Sequence, residues 1–395
     1  ARGMTGTAFD LPLEVLRARQ NVKWRKYAPD VLPAWVAEMD FSVAYPIRRA
    51  IERTVREQDY GYPQRNGQNA ELLLAQAFAD RMQDRFGWTA DPALVQPLAD
   101  LVQGTFAALW AFADANDGII LQIPAYPPFH SSIAETGRRL VPHRMHSDGS
   151  RHTLDTAALE GLVDARTRVI LLCNPQNPTG RMFSRAELLE IGRIAIARDL
   201  VIVSDEIHAD LVYDGRRHIP IASLSPEIAA RTVTITSPTK SFNIPGLRCG
   251  VMHFGDAALL ARFRARVPGH MLGAPGIIGI DATVAAWAES QPWLDRVLVQ
   301  LHANRARLDA FLAIELPQVK WHQPEATYLG WLDCSALRLP GTAFDFFHNK
   351  ARIAFSPGEA FDPACKDFVR INFATSTAIL DQILDRMATA VRALG

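Results

Sequence analysis

Lys240 stands in the run Ser237-Pro238-Thr239-Lys240-Ser241-Phe242-Asn243. A lysine amine attacks carbonyl groups and accepts protons only when neutral, which a desolvated pocket close to other cations favours. Thirty-five residues before it, Ser204-Asp205-Glu206-Ile207-His208 carries a carboxylate and an imidazole, and Asn177 lies 28 residues before Asp205 in Asn174-Pro175-Gln176-Asn177-Pro178-Thr179-Gly180. Arg248 follows Lys240 by eight residues, and Arg370 lies in Phe368-Val369-Arg370-Ile371-Asn372-Phe373. A guanidinium fork holds phosphate and carboxylate groups bidentately, which lysine cannot reproduce. The combination suits a small anionic molecule on which a proton must be moved. A metal is not expected. There is no HExxH run, and the gaps of 76, 85 and 31 residues between Cys173, Cys249, Cys334 and Cys365 match no ligand spacing.

These residues fall where strand-like runs stop. Gly118–Ile123 ends at Pro124, Arg168–Cys173 at Asn174, Leu200–Ser204 at Asp205 and Thr232–Thr236 at Ser237. Near-continuous apolar strands separated by helical stretches predict a mostly parallel sheet covered on both faces. Ligands of such sheets bind past the carboxyl ends of the strands. Ser184 with Glu187 three residues later predicts a capping box opening one of the helices. The last third differs, with a long helix over 292–316, strand-like pieces at 327–332, 352–355 and 368–373, and a closing helix carrying Ile379, Ile383, Leu384, Met387 and Val391. A second, smaller α+β domain is expected. The divisions are 1–48 (part of the small domain), 49–288 (large domain) and 289–395 (C-terminal small domain), packed together without a linker.

The ordered set of five motifs resembles fold-type I pyridoxal-phosphate (PLP) enzymes, the aspartate aminotransferase superfamily. A closer resemblance runs along nearly the whole chain. Leu32-Pro33-Ala34-Trp35-Val36-Ala37-Glu38-Met39-Asp40-Phe41, Tyr60-Gly61-Tyr62, Pro124-Ala125-Tyr126-Pro127-Pro128-Phe129, Ser204 to Asp210 and Thr327 to Asp333 look like the cystathionine β-lyase/C–S lyase branch of MalY/PatB type. The resemblance implies an α/β, PLP-dependent transferase-like fold, with a seven-stranded, mostly parallel sheet between helices in the large domain.

It also implies roles. Lys240 matches the covalent attachment point of the cofactor and the base, Asp205 the carboxylate that keeps the pyridine nitrogen protonated, and Asn177 the donor to the ring's 3′-oxygen. Tyr126 matches the aromatic residue stacked on the ring, and it stands with Lys240 and Asp205 in the catalytic set. Ser237, Arg248 and the backbone at Leu101 and Val102 correspond to the phosphate site. Asp100 departs from the Gly-containing approach of many relatives and sits oddly beside a phosphate unless it caps the helix. Arg370 matches the grip on the substrate's α-carboxylate, with Ala37 and Tyr328 shaping the side-chain pocket. Tyr62 resembles a tyrosine that reaches the phosphate of the neighbouring subunit, implying a homodimer with shared sites. For His208, three residues after Asp205, two readings stand: support for Asp205 or the ring oxygen, and a hydrogen-bonded core histidine.

Composition bounds the rest. The chain has 395 residues, with 42 Lys+Arg against 42 Asp+Glu and 48% hydrophobic residues. That balance argues against a broad basic surface for nucleic acid or anionic lipid, and no apolar run approaches a membrane span. Ala1 to Asp10 lacks the pattern of a signal peptide. Scattered free thiols fit a reduced, cytoplasmic enzyme acting on a small amino-acid substrate. The expected reaction is α,β-elimination from cystathionine or another S-substituted cysteine, giving thiol, pyruvate and ammonia. Alternatives open at this point are an aminotransferase, another PLP reaction on a cysteine S-conjugate such as oxidative deamination, and a partner-binding protein on the same scaffold.

Overall fold

The computed structural model describes residues 9–395, so the signal-peptide expectation, apart from Phe9 and Asp10, lies outside the described residues. Seven strands form the main sheet: β1 Val95–Leu98, β2 Gly118–Ile123, β3 Arg139–Arg144, β4 Thr167–Cys173, β5 Val201–Asp205, β6 Thr232–Thr236 and β7 Gly250–Phe254. Their spatial order is β1-β7-β6-β5-β4-β2-β3. β7 runs antiparallel to both neighbours, while the pairings from β6 across to β3 are parallel. The four expected strands are all present, and the sheet is mixed by that one strand.

Alternation along the strands divides the core into two layers. Ile119, Leu121, Val169, Leu171, Val201, Val203, Val233 and Ile235 pack with Ala108 and Leu109 of helix Leu101–Phe112 and with Leu259 and Phe263 of helix Ala257–Arg266. Ile120, Ile170, Leu172 and Ile202 face the other way, onto Leu188, Ile191 and Ile194 of helix Arg185–Ala197. That helix opens with the expected capping box: Ser184 Oγ accepts from Glu187 N–H and the Glu187 carboxylate accepts from Ser184 N–H. Burial of both faces explains why these strands read as continuous apolar runs.

The C-terminal third holds the 25-residue helix Gln291–Glu315, the closing helix Thr377–Arg392 and a three-stranded antiparallel sheet of β8 Leu329–Asp333, β9 Ser356–Pro357 and β10 Phe368–Asn372, ordered β8-β10-β9. The single strand-like piece expected at 352–355 is instead split. Ile353–Ala354 pairs in parallel with Leu32–Pro33 near the other end of the chain, while Ser356–Pro357 joins β10. Pro357, which has no N–H to donate, and the turn at Gly358 keep both pieces short.

Gly180 is the tightest junction between the two parts. It has φ +73°, and a Cβ there would lie 2.3 Å from Pro324 Cβ. Its carbonyl accepts from Glu325 N–H and Ala326 N–H at 2.9 and 3.1 Å. No helix among the described residues is long and apolar enough to cross a membrane.

Candidate active site

A cavity open to solvent lies beyond the carboxyl ends of β4, β5 and β6. It is lined by Lys240, Asp205, Asn177, His208, Tyr126, Ser237, Arg248, Leu101, Val102, Ala37 and Arg370, together with residues not singled out from sequence, among them Phe129, Cys173 and Thr239. Eleven of the thirteen site residues expected from sequence therefore share one wall system. Asp205 ends β5, while Asn177 and Lys240 stand in the turns that follow β4 and β6, so successive strands deliver polar groups to the same place.

Lys240 follows β6 by a short turn, and its Nζ donates to Ala37 O at 3.2 Å. Burial first, then the Arg370 guanidinium, bring its pKa down to about 8, so a substantial fraction is neutral near that pH. Asp205 ends β5. Burial pushes its carboxyl up to about 7, with Glu206 adding to the rise and the Ile207 N–H and Lys240 opposing it. Ile207 N–H, at 3.1 Å, is the one hydrogen bond to that carboxylate among the described residues. A buried carboxylate so poorly served is stabilised by a cation brought alongside it. A protonated pyridine nitrogen is such a cation.

Arg370 of β10 is buried, with Nη1 donating to Asn177 Oδ1 at 3.1 Å and Nη2 to Trp35 O at 2.9 Å and Ser356 Oγ at 3.2 Å. Its Nε is buried with no hydrogen-bond partner. Because Asn177 spends its amide oxygen on Arg370, its NH₂ is the group left to donate into the cavity. Phe361 packs on the guanidinium face at 5.0 Å. His208 is 2% exposed, burial brings its pKa down to about 3, and its Nδ1 is buried without a partner. It is therefore a neutral ring in the cavity wall and not a saturated core histidine.

The helix Leu101–Phe112 begins at the same cavity, and Asp100 caps it through Oδ1, which accepts from Val102 N–H at 2.8 Å. Its other oxygen, Oδ2, accepts from Arg248 Nη1 at 2.7 Å. Ser237 Oγ donates to Cys249 O at 2.6 Å. Helix N–H groups, a guanidinium and a hydroxyl that line one corner are groups that could hold an anion.

Two expected residues lie elsewhere. Tyr328, the residue before β8, is fully buried in the core of the C-terminal part and is not among the residues lining the cavity; burial and then Glu38 raise the pKa of its phenol, with Arg370 opposing. Tyr62 is 98% exposed and lies outside the cavity.

One set of contacts escaped the sequence reading. Asn243 Oδ1 accepts from Met39 N–H at 2.9 Å, and its Nδ2 donates to Met39 O and Phe41 O at 3.0 Å each. Asn372 Nδ2 donates to Val36 O and Glu38 O at 2.7 Å each. Asn243 is held at φ +57°, a conformation asparagine tolerates better than most residues, and its place three residues after Lys240 was the available hint.

The donor set fits PLP: an amine, a buried carboxylate in want of a cation, an amide donor, an aromatic ring and an anion corner share one cavity. The family model for aminotransferase class I and II matches residues 41–387. Cystathionine β-lyase PatB of Bacillus subtilis (strain 168) is 33% identical over 94% of this chain and 97% of its own length. The crystal structure of OvoB is 37% identical and covers 95% of this chain and 97% of its own, with a TM-score of 0.89. Cystalysin from Treponema denticola, solved with pyridoxal 5′-phosphate, is 28% identical at a TM-score of 0.90, covering 96% of this chain and 98% of its own. The chain belongs to the aminotransferase class I and II family, in its MalY/PatB-type branch, and its cofactor is pyridoxal 5′-phosphate.

Proposed function

We propose that this protein cleaves the Cβ–S bond of cystathionine or another S-substituted cysteine, releasing a thiol, pyruvate and ammonia. The observation that carries the reading is the convergence of Lys240, Asp205, Asn177 and Arg370 on one cavity in a chain of the PatB branch. When bound, PLP supplies an electron sink conjugated to the substrate's α-amino group.

The residues divide the remaining work. Arg370 grips the α-carboxylate with guanidinium N–H groups, its plane held by Asn177, Trp35 O and Ser356. Lys240 Nζ, once free and neutral, takes the Cα proton. The Cα–H electron pair becomes the Cα–Cβ double bond as the sulfur leaves with the Cβ–S pair. A thiolate leaves readily, so little acid assistance is needed. The resulting enamine hydrolyses to pyruvate and ammonia. Asp205 would hold the cation of the cofactor's ring at its buried carboxylate, Asn177 NH₂ and the neutral His208 would be available to its polar groups, and Tyr126 would orient it. Leu101 and Val102 N–H, Arg248 and Ser237 would hold the phosphate, and Ala37 would border the substrate side chain.

The reading extends to a homodimer, in which Tyr62 of a second copy completes the phosphate site. Its support is the near-complete exposure of Tyr62 in a chain that also exposes Tyr45, Tyr60 and Leu72. Division at 48/49 and 288/289 also belongs to this reading, with the pairing of Leu32–Pro33 onto Ile353–Ala354 in its favour. Four buried or half-buried cysteines, all free, accord with a reducing cytoplasm.

The test is incubation with L-cystathionine and a set of S-substituted cysteines, with thiol, pyruvate and ammonia measured together. Equal amounts of the three support elimination, and Lys240→Ala should abolish both turnover and the visible absorbance of the bound cofactor. Amination of an added keto acid without thiol release would replace the lyase with a transaminase.

A further inference from the structure

Asp100 is the residue in the phosphate corner with the wrong charge for it. Its two oxygens occupy two of the corner's positive ends, Val102 N–H at 2.8 Å and Arg248 Nη1 at 2.7 Å. The third donor, the Ser237 hydroxyl, is turned onto Cys249 O at 2.6 Å and itself accepts from Thr239 N–H at 3.1 Å. Each of these groups thus has a partner within the protein. All four residues that carry these groups (Asp100, Val102, Ser237 and Arg248) line the cavity. The carboxylate is about one-third exposed, enough to swing outward, whereas Ser237 is buried.

We propose that Asp100 is an internal stand-in for the cofactor's phosphate: it holds Arg248 and the helix N-terminus in an anion-binding arrangement while the corner is empty, and the incoming phosphate competes with it for both. This rests on the assignment of the phosphate corner made above. A carboxylate and a phosphate dianion side by side repel each other, so one donor set cannot serve both fully. Asp100 thereby trades some cofactor affinity for a corner that keeps its shape without ligand. An unpaired Arg248 would otherwise be free to roam, since its side chain is largely exposed.

Asp100→Asn separates the charge from the cap. Asparagine caps helices about as well as aspartate, so the helix start is retained while the competing anion is lost. Cofactor-free protein is titrated with PLP and, separately, with pyridoxal, which lacks the phosphate, following fluorescence quenching. Inorganic phosphate is titrated as a competitor of PLP. The expected result is that Asp100→Asn binds PLP and inorganic phosphate roughly three- to tenfold more tightly, the range of one partly exposed charge contact, while pyridoxal gains distinctly less, only what the loss of the Asp100 charge does to the Lys240 amine. Circular dichroism and melting check that the variant is folded. Unchanged or weaker PLP and phosphate binding in the folded variant would overturn the proposal, making Asp100 an ally of the phosphate through Arg248. An equal gain for pyridoxal would overturn it too, because the effect would then not pass through the phosphate. Failure of the unaltered protein to bind PLP is a different outcome, and it would remove the corner assignment itself.

Discussion

Lys240 is asked to be cationic enough to be held and neutral enough to react, and its surroundings set the compromise. Burial and the nearby Arg370 bring the amine down to about 8, while Glu38, Asp205 and Asp100 pull the other way. Only the neutral amine attacks an aldehyde, and its fraction grows as pH rises through that value. Capture of PLP by cofactor-free protein should therefore accelerate with pH, reach half its limit near 8 and level off above it. Stopped-flow absorbance in the visible band measures this, and a rate that stays flat between about pH 6.5 and about pH 9.5 would show that deprotonation does not limit the step. Asp205 poses the complementary problem. Its carboxyl, pushed up to about 7 by burial, is poised to be ionised by a cation placed against it, so the residue is costly to the empty protein and useful to the loaded one.

At the scale of elements, the segment 34–41 is stitched between the two halves of the site. On one side Arg370, Ser356 and Asn372 hold the carbonyls of Trp35, Val36 and Glu38; on the other, Lys240 and Asn243 hold those of Ala37, Met39 and Phe41. Beneath it, the Lys23–Asp40 ion pair is buried at 2.9 Å, with Trp24 Nε1 also donating to Asp40. Asn243→Ala would leave three backbone groups of this segment without their partner. It should destabilise the protein by about 2–4 kcal/mol and raise KM more than it lowers kcat. Thermal melting with steady-state kinetics tests this, and an unchanged melting temperature would contradict it. Asn243 also marks the limit of what is legible in a sequence. Strand ends announce themselves through local apolar runs and the Pro, Asn and Ser residues that stop them, so Asp205, Asn177 and Lys240 could be placed together. The Asn243 bonds join positions some 200 residues apart through main-chain atoms, which carry no residue-type signal. Tyr328 is a related case: it is fully buried just before β8, and no local pattern of residue types tells a ring in the core from a ring in the cavity wall.

For the whole molecule, Tyr45, Tyr60, Tyr62 and Leu72 are exposed, and the proposed homodimer, with Tyr62 completing the site of a second copy, would have a distinctive genetic signature. Tyr62→Ala and Lys240→Ala protomers should each be impaired, yet a mixed dimer would place both lesions in one site and leave the other intact. After subunit exchange in equal amounts, about one quarter of the unaltered activity should appear, since half the dimers are mixed and each has one intact site. Activity no greater than the mean of the separate variants would rule out sharing through Tyr62.

The parallel pairing of Leu32–Pro33 with Ile353–Ala354 has a consequence for biosynthesis. A ribosome makes the first of these strands early and its partner near the end, so the segment that follows Leu32–Pro33 waits through most of translation for half of its hydrogen-bond partners. Lys240, Asp205 and Asn177 can already be gathered by the main sheet at that stage. The grip of Arg370 cannot, because β10 is still unmade. A nascent chain could thus assemble a place for the cofactor before it can hold an amino acid, and the order of synthesis itself would keep unfinished protein from acting on substrate.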